Sequence, residues 1–449
     1  GFAALVNDTA KDKDGKTIPS KNFNGRTINL ADDIDVSGYE WIPIGYSDGY
    51  TPTAFAGTFN GDGHTVTLAL DTIGKSYVGF FGYVTGTVKN LTVDGSVKAD
   101  ATGSRTGYAA GVVAYLAVDG TVEMCVNKAS VTTNGRYTAG IVGSSSSKKD
   151  GRGGVIKNCR NTGAISSTFG GGYAAGIANI AASVTQCWNE GEIELKTVKD
   201  KSTNSRVAGV ATGAPVLNSA NFGKVSGPTW AETGVSIGGV GTTAVSNSYN
   251  LGTVTGAEGM THNISSGTVV NSYYADIAGN TGIYVENGSD TTKAATTEIT
   301  ITEVGGKKVY KVGDAKLVDV LNEACTEISI TGALQWINKQ DKPWNPVHIQ
   351  RWDGSNEPGV TGTAALTYDP NGATIGTKLT ETQRIEENQS AATFTIRTDD
   401  ALGFKHENGT FLGWSTDSNA ATPTYKFDAS KGTVSPAEIS VDKDKTVTL

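Results

Sequence analysis

Cys159-Arg160-Asn161-Thr162-Gly163-Ala164-Ile165 and Cys187-Trp188-Asn189-Glu190-Gly191-Glu192-Ile193 align without a gap: a small residue, then Asn, Gly and Ile two, four and six positions later. Ser219-Ala220-Asn221-Phe222-Gly223-Lys224-Val225 and Ser248-Tyr249-Asn250-Leu251-Gly252-Thr253-Val254 repeat the pattern. Cys125-Val126-Asn127-Lys128-Ala129-Ser130-Val131 keeps all of it but the Gly, and Leu91 to Val97 is a more hydrophobic version. Upstream of each copy lies a Gly-plus-aliphatic element: Gly79-Phe80-Phe81-Gly82, Gly111-Val112-Val113-Ala114, Gly140-Ile141-Val142-Gly143, Gly176-Ile177-Ala178, Gly209-Val210-Ala211 and Gly238-Gly239-Val240-Gly241. Copies follow one another at about 28 to 36 residues, and a period of that size marks a stacked array with one coil per copy. In a parallel β-helix equivalent positions stack about 4.8 Å apart, so the repeated Asn predicts a ladder of amides and the repeated Val or Ile an interior column.

Composition agrees. Gly contributes 58 of 449 residues and Met only 2, which favours short strands and tight turns over helices. A hydrophobic fraction of 37% suits an elongated solenoid, whose surface stays large relative to its interior. The net charge of −8, with scattered basic residues, disfavours nucleic acid and anionic membrane surfaces as partners. No apolar run approaches the roughly 20 residues of a membrane helix. The first residues carry neither a charged n-region nor an apolar h-region, which is compatible with a secretion signal already removed.

With these elements in place the chain resembles the GLUG-motif family of bacterial surface proteins, named for the Gly-aliphatic-x-Gly element of Gly79 to Gly82 and Gly140 to Gly143. Leu30-Ala31-Asp32-Asp33-Ile34-Asp35-Val36-Ser37-Gly38, Trp41-Ile42-Pro43-Ile44-Gly45 and Phe55-Ala56-Gly57-Thr58-Phe59-Asn60-Gly61-Asp62-Gly63-His64-Thr65-Val66 look like the opening coil of that family. The resemblance covers roughly Thr27 to Ile277. It implies an all-β fold, a right-handed parallel β-helix of the kind found on secreted adhesin-like proteins and on some IgA-protease-type surface enzymes.

Three domains are expected: the β-helix over 1–278, a closing segment with one short helix over 279–352, and a small β-rich module over 363–449. Leu317 to Leu321, Trp336 and Pro346-Val347 look like the closing segment, with a helix near Asp314 to Cys325 that caps the open end. Gly354 to Gly362 reads as linker. Leu366-Thr367-Tyr368-Asp369-Pro370-Asn371-Gly372 and Phe411-Leu412-Gly413-Trp414-Ser415-Thr416 resemble the internalin-type B-repeat, with Ala373 in place of its second Gly, and Trp414 is expected in a small core.

The residues that mimic catalytic or metal motifs have simpler readings. Cys125, Cys159 and Cys187 occupy equivalent positions that Ser219, Ser248 and Ser272 then take over, which predicts free buried thiols in a stacked column, although stacked neighbours approach disulfide distance; Cys325 has no obvious partner. Gly234-Val235-Ser236-Ile237-Gly238 fits G-x-S-x-G, and Gly170-Gly171-Gly172-Tyr173-Ala174-Ala175 fits G-x-G-x-x-A, yet neither has the strand-to-helix context its chemistry needs, so both read as solenoid turns. His64, His262, His348 and His406 match no zinc spacing, and Asp12, Asp14, Asp32, Asp33 and Asp35 complete no calcium loop. No catalytic residue, metal site or cofactor is assigned.

The strongest enzymatic competitor is a polysaccharide lyase or hydrolase, which needs facing carboxylates; Asp94, Asp119 and Glu123 do not recur as a cluster. The leading expectation is a monomeric, extracellular adhesin-like module, not itself an enzyme, that presents its face to a host or environmental glycan or protein. The alternative is the non-catalytic β-helix of a larger surface protease or glycan-degrading enzyme. Ligand-binding residues are unassigned, but Tyr108, Tyr137, Phe169, Tyr173 and Trp230 are read as loop aromatics suited to a sugar platform, with loops such as Ser144 to Gly154 and Val198 to Arg206 projecting from the rod.

Overall fold

Each copy of the repeat occupies the same corner of one coil of a parallel β-helix. The computed structural model describes residues 2–7, 9–16, 21–45, 53–101, 107–146, 153–196, 204–229, 234–275, 296–304, 307–327, 337–339, 342–344, 360–369, 378–386, 390–402, 404, 410–418 and 420–449. It divides into two units, Gly1–His348 and Ile349–Leu449.

One coil of the first unit runs through strands Tyr137–Ala139, Val142–Ser145, Val155–Lys157, Arg160–Asn161 and Ile165–Ser167. Every one of them pairs in parallel with its equivalents before and after, so Tyr137 lies between Tyr108 and Tyr173, Asn161 between Asn127 and Asn189, and Ile165 between Val131 and Ile193. Stacking these coils generates a nine-stranded sheet from Thr27–Asn29 to Val269–Val270, a seven-stranded sheet from Tyr77–Val78 to Thr261–His262, and a five-stranded sheet from Phe81–Val84 to Ala211–Gly213. A fourth sheet carries the repeats themselves, from Ile34–Asp35 to Thr296–Val304.

The interior confirms both columns. Val131, Ile165, Ile193, Val225 and Val254 are buried one above the other. Asn127, Asn161, Asn189, Asn221 and Asn250 are fully buried, and each Nδ2 donates to the Oδ1 of the next at 2.7, 2.7, 2.8 and 2.8 Å. The second Nδ2 proton goes to the carbonyl two residues on, that of Ala129, Gly163, Gly191, Gly223 and Gly252 in turn. Asn161, Asn189 and Asn221, paired on both sides, avoid the desolvation cost that a lone buried amide would carry.

The small-residue column is a second ladder. Cys125, Cys159 and Cys187 are free and buried. The Cys159 amide donates to Cys187 Sγ at 3.3 Å, that of Cys187 to Ser219 Oγ at 3.1 Å, that of Ser219 to Ser248 Oγ at 3.0 Å and that of Ser248 to Ser272 Oγ at 3.1 Å. Each thiol or hydroxyl in turn donates to the carbonyl two residues back, as from Cys159 to Lys157 and from Ser219 to Leu217. Cys and Ser exchange along this column because both are small and offer a donor and an acceptor on one atom. Immediately before it every coil turns through one left-handed residue: Asn90, Met124, Asn158, Gln186, Asn218, Asn247 or Asn271, with φ between 45° and 59°. Asn tolerates that conformation better than most side chains, which explains its recurrence.

At the N-terminal end the helix Phe2–Val6 lays Phe2 against Phe23, Phe55 and Phe59. At the other end Thr296–Val304 adds a parallel rung onto Ser272–Tyr274, the last among the described residues, and then pairs antiparallel with Lys307–Val312. The helix of this segment spans Leu317–Glu327, three residues later at its start than the sequence suggested, with Leu317 and Leu321 buried and the Leu321 carbonyl accepting from Asn247 Nδ2 at 3.0 Å. Trp336, Pro346, Val347 and the side chain of Cys325 lie outside the described residues.

The second unit is also β-rich. Val360–Tyr368 lies between Leu379–Glu386 and Thr446–Thr448, Ala391–Thr395 pairs with Glu438–Asp442, and Gly413–Trp414, Tyr425–Asp428 and Thr433–Ser435 form a third small sheet. Trp414 is buried against Tyr368 and Phe404, and its Nε1 donates to the Arg397 carbonyl at 2.7 Å. The expected linker is shorter than read: residues 360–362 already belong to the strand Val360–Tyr368, which pairs with Leu379–Glu386 through a register shift between Val360 and Gly362, and residues 351–359 lie outside the described residues.

Candidate ligand-binding face

Ladder positions are spent on the interior, so recognition has to come from what the coils turn outward. Three of the aromatics singled out in the sequence, Tyr108, Tyr137 and Tyr173, stack in one column, but not on loops. They open the strands Tyr108–Ala110, Tyr137–Ala139 and Tyr173–Ala175 of the seven-stranded sheet. The reading as loop residues failed because a three-residue strand followed at once by Gly has too few residues to show a period of two.

Tyr77 extends this column at its start, 5.1 Å from Tyr108 between ring centroids, and Tyr108 and Tyr137 are 5.2 Å apart and nearly parallel. Tyr173 meets Tyr137 edge to face at 5.2 Å. From the five-stranded sheet Tyr83 and Tyr115 form a parallel column of their own, stacked at 5.2 Å. The two columns touch: Tyr108 lies 5.1 Å from Tyr115, and Tyr77 lies 6.0 Å from Tyr83. All these rings are half-buried. Sequence reasoning missed Tyr77, Tyr83 and Tyr115; the signal was present as a Tyr on either side of a Gly-aliphatic element, in Tyr77 to Tyr83 and Tyr108 to Tyr115.

Two cations complete the face. The Arg136 guanidinium sits 5.4 Å from the Tyr137 ring and 5.8 Å from that of Tyr173, and Arg206, which replaces Tyr in the next coil, sits 5.4 Å from Tyr173. Such contacts hold a guanidinium flat over a ring and leave its edge donors for other partners. Arg206 also donates to the Thr212 carbonyl at 3.3 Å. Below the rings, Asn179 Nδ2 donates to the carbonyls of Thr138 and Gly143, tying the two tyrosine-bearing sheets together. Burial raises the phenol pKa of Tyr83 and Tyr137 above the ordinary value.

Other sequence candidates are dispersed. Phe169 lies beside Asn134, Thr168 and Gly170, and Trp230 lies outside the described residues, as do 147–152 and 197–203 of the two projecting loops. Ser236 is a strand residue, paired with Arg206, where the sequence pattern predicts a turn. Asp12, Asp33 and Asp35 cap backbone amides, and Asp33 Oδ1 also meets His64 Nδ1 at 3.2 Å. Carboxylates are matched by bases one coil away: Glu123 with Lys157 on the nine-stranded sheet, and Glu190 with Arg160 and Glu192 with Lys224 along the repeats. Among the described residues no group of three or more His, Cys, Asp and Glu could hold a metal ion; His348 and His406 lie outside them.

No family model matches the chain, and no curated protein matches it. Among solved structures it is similar to a protein of Bacteroides ovatus provisionally called an immunoglobulin A1 protease, with 17% identity and a TM-score of 0.41 over 71% of this chain and 85% of that one.

Proposed function

We propose that this chain is an extracellular bacterial surface module that binds a ligand along its tyrosine face and does not turn it over. The observation that carries the reading is the joined pair of tyrosine columns, Tyr77, Tyr108, Tyr137 and Tyr173 beside Tyr83 and Tyr115, on rigid strands. Rigid, half-buried Tyr side chains give large amphipathic contact area at low entropic cost, which is what a recognition surface needs. The Gly-aliphatic elements support the finer reading of a GLUG-type solenoid, and buried Trp414 supports that of a B-repeat-like second unit. A rod with identical rungs suits multivalent, individually weak contacts with a host or environmental glycan or protein.

The test is to screen the purified chain on glycan and host-protein arrays, and in parallel against polysaccharide and peptide substrates. Saturable binding that the paired substitution Tyr108→Ala/Tyr137→Ala weakens at least tenfold is the expected result. Turnover abolished by mutating one or two clustered carboxylates, or binding indifferent to the tyrosines, overturns it.

A further inference from the structure

Arg136 and Arg206 stand out in a chain of net charge −8, where cations on other faces of the coils, such as Lys157, Arg160 and Lys224, have a carboxylate within reach. Neither of these two arginines meets a carboxylate among the described residues; both instead flank the ring of Tyr173. We propose that the Arg136–Tyr173–Arg206 cluster is an anion subsite, and that the ligand of the tyrosine face is an acidic polysaccharide lying along the rod. This rests on the proposed binding role of that face and names its ligand class.

Three features favour a sugar chain over a peptide. The strands beneath the face are already hydrogen-bonded to the coils on either side, as Tyr137–Ala139 is to Tyr108–Ala110 and Tyr173–Ala175, so an extended peptide finds no free strand edge to pair with. The rings are only half-buried and present edges and hydroxyls, where a protein anchor would need a deep apolar pocket. Finally, ring centroids repeat at 5.1 to 5.2 Å along the axis, close to the length of one sugar ring in an extended chain. Successive sugars then meet successive tyrosines, and a carboxylate or sulfate reaching the Tyr173 end meets two guanidiniums whose planar forks suit either group. The two guanidiniums flank Tyr173 at one end of the column, which gives the interaction a direction: ring contacts along the tyrosines, charge at one end.

The experiment is affinity electrophoresis of the full chain in native gels containing polygalacturonate, dextran sulfate, hydroxyethylcellulose or polyglutamate. Retardation by polygalacturonate or dextran sulfate, with little by hydroxyethylcellulose or polyglutamate, is expected, and the responding polymer identifies carboxylate or sulfate as the anion. Arg136→Gln/Arg206→Gln should weaken that retardation at least tenfold, while Arg136→Lys/Arg206→Lys, which keeps charge but not the fork, retains part of it. Circular dichroism melts confirm that the variants remain folded. Equal retardation by polyglutamate, binding unaffected by the Gln pair, or no binding to either acidic polysaccharide overturns the proposal. Tyrosine-dependent binding to hydroxyethylcellulose alone would overturn the acidic ligand and leave the binding role standing.

Discussion

Gly140 lies directly against the side-chain amide of Asn161. A β-carbon built on Gly140 would overlap Asn161 Oδ1 and the Gly176 carbonyl, and Asn161 Cγ would lie 2.5 Å away. The same pairing joins Gly176 to Asn189, Gly209 to Asn221 and Gly239 to Asn250. The Gly-aliphatic element and the Asn element travel together along the sequence because they are the two sides of one contact in the interior.

Gly140→Ala is therefore expected to cost about 3 kcal/mol or more, since neither the ladder amide nor a backbone carbonyl can move aside. Gly63 is the control: its φ is +86° but nothing lies within 4 Å of an added β-carbon, so Gly63→Ala should cost only about 1 kcal/mol of backbone strain. Urea denaturation of the two variants checks this; equal losses would mean the close approach is unimportant.

In the middle of the amide ladder, Asn189→Ala removes the partner of one Asn161 Nδ2 proton, of Asn221 Oδ1 and of the Gly191 carbonyl. A loss of about 3 kcal/mol is expected from these buried, unpaired groups. Asn127 begins the ladder and its Oδ1 has no hydrogen-bond partner among the described residues, so Asn127→Ala strands less and should cost less. Thermal melts that rank the two in the opposite order would contradict the ladder as the source of stability.

Burial pushes the Cys159 thiol well above its ordinary value of 9.0. In a Cys325→Ser background, Ellman's reagent at pH 8 should leave Cys125, Cys159 and Cys187 unmodified in the native protein and modify all of them in urea. Cys159→Ser, which repeats the natural exchange along the column, should change stability by no more than about 1 kcal/mol.

Tyr249 is fully buried, and burial holds its phenol well above the ordinary value of 10.0. Its folded-state pKa is raised, so its contribution is intact below pH 10, where both states keep the proton. Above that the unfolded chain releases the proton first, and stability falls as pH climbs. Unfolding free energies between pH 9 and 11.5 should therefore drop less steeply for Tyr249→Phe than for the wild-type chain.

The interior was legible in the sequence because its constraints are short and repeat without variation: Asn and Gly at two and four residues from a Cys or Ser, wherever a coil has a neighbour to satisfy. At the one exception, Ala129, the coil before has Val93 in place of Asn; a methyl on Gly191 would meet the Gly163 carbonyl first and then Asn161 Nδ2 at 2.7 Å. The tyrosine face was half legible. Tyr108, Tyr137 and Tyr173 drew notice as aromatics, but their partners Tyr83 and Tyr115 sit in a different strand of the same coil, and only register brings the columns together. The arginines were not legible because only the fold sets them on either side of the Tyr173 ring.

Successive rungs of the amide ladder are 34, 28, 32 and 29 residues apart in the chain, yet the hydrogen bonds that join them differ by only 0.1 Å, between 2.7 and 2.8 Å. Each amide also points the same way, giving to the coil ahead and receiving from the coil behind. A tandem copy of one coil inserted between two others would bring one donor and one acceptor and close the ladder again. Recombination between repeats can thus lengthen or shorten this rod in whole coils, altering its reach and the number of tyrosines it offers while leaving unmatched amides only at its two ends.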